Sequence, residues 1–262
     1  MPNETKRILI KEASSDLERS SLFSGRIINV RKLGGVTFII LEDRSGIVQT
    51  VWEKDTSAKS GDIVEIIGTV KKDDRAVGGF EIKGEELKVI SEIKIDMPYD
   101  PSKKELDLHL STLLDNRVLT VRHQKVKAIF KLYNIVLKAY EEVMRQEGFT
   151  EIKTPKILGS PTEGGSNFFK IKYFDKEAYL AQSPQFYKQI MVGALERVFE
   201  IGPVFRAEPH FTTRHINEYI SLDAEMGFIK SDEDVRNELT LVFKKMFEII
   251  KKEAKESLDF FA

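Results

Sequence analysis

Residues 197–228, RVFEIGPVFRAEPHFTTRHINEYISLDAEMGF, decide how this chain is read. Apolar residues alternate or run through 198–205 and again through 219–228, so both flanks are expected as strands. Pro209, Thr212, Thr213 and Asn217 mark the connection as a loop. The strands are expected to pair as a hairpin. Arg206 and Glu208 stand two apart, which on a single strand puts them on one sheet face. A guanidinium there can meet a phosphate, and a carboxylate can accept from an amino group. Arg214 and His215 follow across the loop, in position to close over a polyphosphate tail. The layout suits a nucleotide, although an isolated Arg-X-Glu equally fits a cross-strand ion pair worth little.

Upstream of this stretch, Val126, Ile129, Phe130, Tyr133, Val136, Leu137, Tyr140 and Met144 recur at helical spacing, predicting an amphipathic helix over about 122–146 that stops at Gly148. It leads into GFTEIKTPKI (148–157), a strand candidate whose Pro155 lacks an N–H and so belongs at an edge or against another subunit. Downstream, residues 231–262 are again helical, with Val235, Leu239, Val242, Phe243, Met246, Phe247 and Ile250 as the expected buried stripe.

Further towards the amino terminus the pattern changes. The segments FSGRIINVRKL, GVTFIILED, GIVQTVW, DIVEIIGTVKK and GFEIKGEELKVI are five strand candidates separated by glycine turns. Five strands in some seventy residues suggest a small closed barrel of the oligonucleotide-binding (OB) kind. Phe38 could stack on a base, Gln49 hydrogen-bond it and Arg31 take a phosphate or base edge. Periodicity alone favours Phe38 as barrel filling. The expected organisation is a barrel domain over 1–95, a linker over 96–116 with Pro98 and Pro101, and a second domain over 117–262.

Composition narrows the options. Asp and Glu total 42 against 41 Lys and Arg, so no overall field advertises a nucleic-acid partner, and RNA binding would need a local patch. The absence of cysteine excludes disulfides, thiolate zinc sites and cysteine nucleophiles. The first twenty residues lack the apolar core of a signal peptide and no later run approaches a membrane span, so a soluble cytoplasmic protein is expected.

Several motifs in order carry a resemblance. Residues 205–208 (FRAE), Arg214, His215, Glu218 and Tyr219 resemble motif 2 of the class II aminoacyl-tRNA synthetases. The long helix, glycine and strand ending in Thr154-Pro155 resemble motif 1, the usual dimer element of that family. Thr162 to Gly165 (TEGG) and Ala181 to Gln189 (AQSPQFYKQ) look like the aspartyl branch, particularly its archaeal type. The barrel segment is similar to that branch's anticodon-binding domain through its GGxxFIxLxDRSGIVQ pattern, and Arg31, Phe38 and Gln49 match its anticodon readers. The implied fold class is α+β: a five-stranded OB-fold barrel followed by a partial class II antiparallel sheet with flanking helices.

The resemblance implies an aspartate–tRNA ligase using ATP, Mg2+ and tRNA, dimeric through the motif 1 region. Arg206 would bind the α-phosphate as the catalytic cation, and Glu208 would hold the adenine amino group. Arg214 and His215 would contact the outer phosphates, with Tyr219 at an aromatic position that can face adenine. For aspartate, Lys188 would pair with the side-chain carboxylate, Gln185 and Asp223 would take the α-ammonium, and Glu163 would belong to a closing loop. From the residues alone Lys188 also reads as a helix-surface lysine, Gln185 as a cap, Asp223 as a paired strand residue and Glu163 as turn chemistry. Asparagine is the alternative substrate, because the asparaginyl branch shares the fold.

Motif 3, a glycine-rich element bearing an ATP-clamping arginine, is not found, since Gly227 is the last glycine. The expectation is therefore a carboxy-terminally truncated form, with the magnesium-holding acids in the part not represented, no metal ligand here, and exposed sheet edges that make it poorly soluble or partner-dependent. A tRNA-binding module without ligase activity is the alternative from another class.

Overall fold

The computed structural model describes residues 6–76, 78–95, 97–162, 167–210, 212 and 215–262. They form two compact units that divide between Lys127 and Ala128. In the first, a 3-10 turn (Ile10–Ser15) precedes β1 (Ser20–Leu33), β2 (Val36–Glu42), β3 (Ile47–Trp52), β4 (Ile63–Lys72) and β5 (Phe80–Ser91). These close into a barrel in the order β1-β2-β3-β5-β4, the five strands the glycine-punctuated segments predict. Gly34 and Gly35 both take positive φ, which the two-residue β1–β2 turn requires. Alternation along each strand sends Phe23, Ile27, Ile39, Leu41, Trp52, Ile66 and Ile82 inward, where all are fully buried. Ile10 and Ala13 of the 3-10 turn join the same core. The turn is held by Asp43, whose carboxylate accepts from Ile10 N at 2.9 Å. Burial opposes ionisation of Asp43, but the Ser45 hydroxyl and the N–H groups of Ile10, Ser45 and Gly46 outweigh it and hold the carboxyl below its usual range.

After the barrel come the short helices α1 (Leu110–Asp115) and α2 (Arg117–Thr120), then α3 (Gln124–Gln146), which begins in the first unit and runs through the second. His123, just before α3, is buried. Its Nδ1 accepts from Lys125 N at 3.2 Å and its Nε2 lies 3.0 Å from Lys103 O, fixing a neutral tautomer with the proton on Nε2. Tyr99 packs edge-on against the ring.

The second unit adds β6 (Thr150–Glu151), β7 (Ile157–Leu158), β8 (Lys170–Tyr173), β9 (Lys176–Leu180), α4 (Gln185–Leu195), β10 (Arg197–Phe205), β11 (Glu218–Met226), α5 (Asp232–Glu253) and α6 (Lys255–Leu258). Gly148, at φ +79, ends α3 and lets the chain turn into β6. One sheet has the order β11-β10-β6 and another β7-β9-β8. The expected strand over 148–157 is thus two short ones in different sheets. β6 is the predicted edge, parallel to β10, and the chain leaves the ladder before Pro155 because Glu200 captures Thr154 N at 3.0 Å. α5 starts with a capping box in which Ser231 Oγ accepts from Glu233 N, and acids fill its first turn while Lys251 and Lys252 fill its last.

Ala139, Tyr140, Val143, Met144, Phe149, Phe199, Val242 and Met246 form the second core. Here the predicted stripes need correction: Ile129, Phe130 and Tyr133 of α3 and Val235, Leu239, Phe243 and Phe247 of α5 are exposed. Periodicity identifies the apolar face of a helix, but burial requires a second surface against it. An open apolar groove of about 340 Å³ runs over Tyr140, Leu222, Ala224, Leu239 and Phe243. Among the described residues no helix is long and apolar enough to cross a membrane.

Candidate functional site

The β10–β11 hairpin forms as the sequence predicts, and its register sorts side chains onto two faces. Antiparallel partners share a face, so Glu200/Asp223, Gly202/Ser221, Val204/Tyr219 and Val198/Glu225 stand on one side. Phe199, Ile201 and Met226 point the other way into the core with α3 and α5. Tyr140 reaches Asp223 from behind, its hydroxyl donating to the Asp223 carbonyl at 3.0 Å. Burial, helped by the nearby Asp223 charge, pushes that phenol well above its ordinary pKa, so it remains a donor.

Onto the polar face α4 delivers Lys188. The side chain is buried, at 6% relative exposure, with Nζ 3.1 Å from Asp223 Oδ1 and 3.5 Å from Glu225 Oε2 and donating to Ala224 O at 3.4 Å. This is no surface lysine: a buried ammonium persists only where its charge is matched. Here one cation serves two carboxylates, leaving a net negative charge. Glu225 was not singled out from the sequence, although its place two residues after Asp223 on one strand was the available signal. Gln185 is the first residue of α4, its N–H donating to Ser183 Oγ at 3.3 Å. Tyr219 is half-buried on the same face as Asp223 and Glu225.

At the far end of the hairpin the structure corrects one expectation. Arg206 and Glu208 do not share a strand, because β10 ends at Phe205. Arg206 N still donates to Asn217 O at 2.9 Å, a last rung of the ladder, but Glu208 N folds back to Arg206 O at 2.8 Å, and Pro209 has no N–H to continue the ladder. Asn217, oriented so that its amide nitrogen donates to Arg206 O at 3.0 Å and Glu208 O at 3.2 Å, clamps this turn. Glu208 meets His215, with Oε2 3.4 Å from Nε2, while His215 Nδ1 lies 2.6 Å from Thr212 Oγ1. Glu163 and Arg214 lie outside the described residues.

The barrel carries a second candidate surface. Arg31 and Phe38 are ladder partners, with the guanidinium 5.9 Å from the ring centroid. Phe38 is half-buried on the outer face, not barrel filling. Its neighbours Thr37 and Ile39 point inward, as alternation demands. Gln49 donates from Nε2 to Glu81 Oε2 at 3.0 Å. Further along the outer ridge of β2, the buried Glu42 accepts from Arg26, Gln124 and Lys127, tying the barrel to the first turn of α3. Among the described residues no group of three or more His, Asp or Glu stands in a metal-holding arrangement.

Comparison with known proteins places this geometry. Residues 109–261 match the family model for class II tRNA synthetases (D, K and N), and residues 22–90 match that for the OB-fold nucleic acid binding domain. An aspartate–tRNA(Asp/Asn) ligase of Methanopyrus kandleri is 43% identical over 247 residues, covering 90% of this chain and 57% of that protein. Another, of Deinococcus radiodurans, is 46% identical over 235 residues, covering 90% and 54%. The chain therefore spans about half the length of the curated relatives it matches. Among solved structures, an asparaginyl-tRNA synthetase from Pyrococcus horikoshii complexed with asparaginyl-adenylate superposes with a TM-score of 0.88 at 29% identity, covering 98% of this chain and 61% of that one. An aspartyl-tRNA synthetase from Entamoeba histolytica gives 0.78 at 25%, covering 99% and 58%. With family models matched across both units, a closed OB-fold barrel and the charged hairpin face, the chain belongs to the class II tRNA synthetases of the D, K and N group.

Proposed function

We propose that this chain carries the aspartate- and ATP-handling elements and the anticodon-binding barrel of an aspartate–tRNA ligase. The observation that carries the reading is Lys188, buried between Asp223 and Glu225. An α-amino dicarboxylate complements such a triad: its ammonium replaces part of the lysine's charge at Asp223, with Gln185 adjacent, and its side-chain carboxylate takes Lys188. Asparagine would set an amide N–H₂ against the ammonium, which disfavours it.

The aspartate α-carboxylate oxygen attacks the α-phosphorus of ATP, the bond from that phosphorus to the bridging oxygen breaks, and pyrophosphate leaves. Arg206 stabilises the charge that builds at the α-phosphate, so catalysis is positioning and electrostatic stabilisation. Glu208 accepts from the adenine amino group once a nucleotide displaces His215, Arg214 and His215 bind the outer phosphates, and Tyr219 faces the base. Glu163 is assigned to aspartate binding. A hydroxyl of the terminal ribose of tRNA then attacks the aspartyl carbonyl of the adenylate, the acyl–phosphate bond breaks and AMP leaves; the tRNA anticodon is read by Arg31, Phe38 and Gln49 in a barrel domain spanning 1–95, joined through 96–116 to a catalytic domain at 117–262. The exposed Ile129 and Tyr133 support a homodimer through the motif 1 region, and the working compartment is the cytoplasm.

Aspartate-dependent exchange of pyrophosphate into ATP tests the reading, with asparagine, lysine and Arg206→Ala as controls. Exchange with aspartate alone, lost in the variant, is expected; exchange with asparagine instead would identify an asparaginyl relative. A non-catalytic tRNA-binding module is the second reading, favoured by the barrel's closed core and its outward Arg31–Phe38 pair. Anticodon stem-loop binding without any exchange would select it.

A further inference from the structure

A second lysine–carboxylate unit stands on the same sheet face as Lys188. Glu200 is almost completely buried, at 2% relative exposure, and is the ladder partner of Asp223. Its Oε1 accepts from Thr154 N at 3.0 Å and pairs with Lys156 Nζ at 3.0 Å, while its Oε2 accepts from the Thr154 hydroxyl at 2.7 Å. Lys156 also donates to Thr154 Oγ1 at 3.0 Å, so the three side chains close a ring. Gly202 makes room for it: a Cβ there would come within 3.2 Å of Glu200 Oε1 and 3.3 Å of Lys156 Nζ.

Two carboxylates directly opposite on one sheet face repel, and a buried carboxylate left unpaired is costly. The structure resolves this by giving each its own cation, Lys156 for Glu200 and Lys188 for Asp223 and Glu225. Without the Lys156 charge, Glu200 would keep only Thr154, and the cation of its ladder partner, Lys188, already lies 3.1 Å from Asp223 Oδ1. A third carboxylate would then compete for the one ammonium that the substrate needs.

We infer that Lys156 and Glu200 form a positioning pair which reserves Lys188 for the substrate's carboxylate and so sets the site's selectivity for an acidic amino acid. This rests on the proposed aspartate-activating role. The pair touches no substrate itself and acts through Lys188.

The test compares Lys156→Met with the double variant Lys156→Met/Glu200→Gln in this 262-residue chain. In pyrophosphate exchange the single variant should raise the KM for aspartate about 10-fold with kcat within about 3-fold, and the double variant should return KM to within about 3-fold of the parent. A pair that merely pins Thr154 to β10 predicts otherwise: kcat and stability fall together and the double variant does no better than the single, which overturns the inference. A second readout needs no activity. The ¹⁵N resonance of the Lys188 ammonium, assigned with Lys188→Arg, should move in the ligand-free single variant and return in the double. Should the parent show no exchange, the aspartate-activating reading fails on that count, while the resonance still decides the pair: movement and return supports it, and an unmoved resonance overturns it.

Discussion

The barrel and the β10–β11 unit obey the same alternation rule but complete it differently. In the barrel the strands close on themselves, so the inward side chains pack into one core, while Arg31 and Phe38 pair on the outer face and Gln49 bonds Glu81. In the second unit β11 is an edge strand among the described residues; Ile220 and Leu222 on its apolar side are exposed, and the exposed Val235, Leu239 and Phe243 of the α5 stripe line an open groove. Parity assigns a side chain to a face; only closure buries it. The barrel is therefore a self-sufficient scaffold, whereas the charged face of the second unit has a reverse side that is only partly covered.

The sharpest way to break the comparison is at the charged face. Arg206→Ala should lower the exchange rate about 10²–10³-fold, the effect of removing one preorganised charge contact, while leaving anticodon stem-loop affinity unchanged. A drop in both, measured by exchange and by fluorescence anisotropy, would mean that the units do not act separately.

Next in size is packing. Trp52→Ala removes the chain's single tryptophan from a fully buried barrel position and should cost about 3–5 kcal/mol, read by circular dichroism in urea. Leu239→Ala, at an exposed position on the groove, should cost less than about 1 kcal/mol. Equal costs would show that the groove is covered in solution.

Phe38→Ala should weaken anticodon stem-loop binding by about 1–3 kcal/mol, the value of one stacking platform, with little change in the melting transition. A large loss of stability instead would return Phe38 to the barrel core.

The smallest expected effect is on pH dependence. Burial, with Lys127 and Lys125 nearby, lowers the His123 pKa below 6.5, only partly offset by its bond to Lys103 O and by Glu105. The unfolded chain thus binds the proton first. Stability from this group is complete above 6.5 and is lost as pH falls from there towards the folded value. The urea midpoint should therefore decrease between pH 7 and pH 5.5, and His123→Gln should flatten that slope.

Much of the fold was legible because local chemistry carries it. The five barrel strands, the helix ending at Gly148 and the 197–228 hairpin each have period, turn residues and length in agreement. The candidate site was proposed mainly from ordered motifs, since Lys188 alone reads as any lysine on a helix. Glu200, Lys156, Glu225 and Asn217 escaped because their significance lies in partners: nothing in TPKI says that its lysine will meet a glutamate some forty residues later. The Arg206–Glu208 turn escaped because a backbone bond from Glu208 to Arg206, not a side-chain pattern, ends the strand.

By itself the sequence determined the five barrel strands, the long helix ending at Gly148, the 197–228 hairpin and the family, because these follow from periodicity, turn chemistry and motif order. Only the tertiary structure decided which carboxylate each buried lysine serves, which apolar stripes are covered, and that Glu208 meets His215. Those are contacts between segments far apart in the chain, and a buried charge takes its meaning from whatever neutralises it.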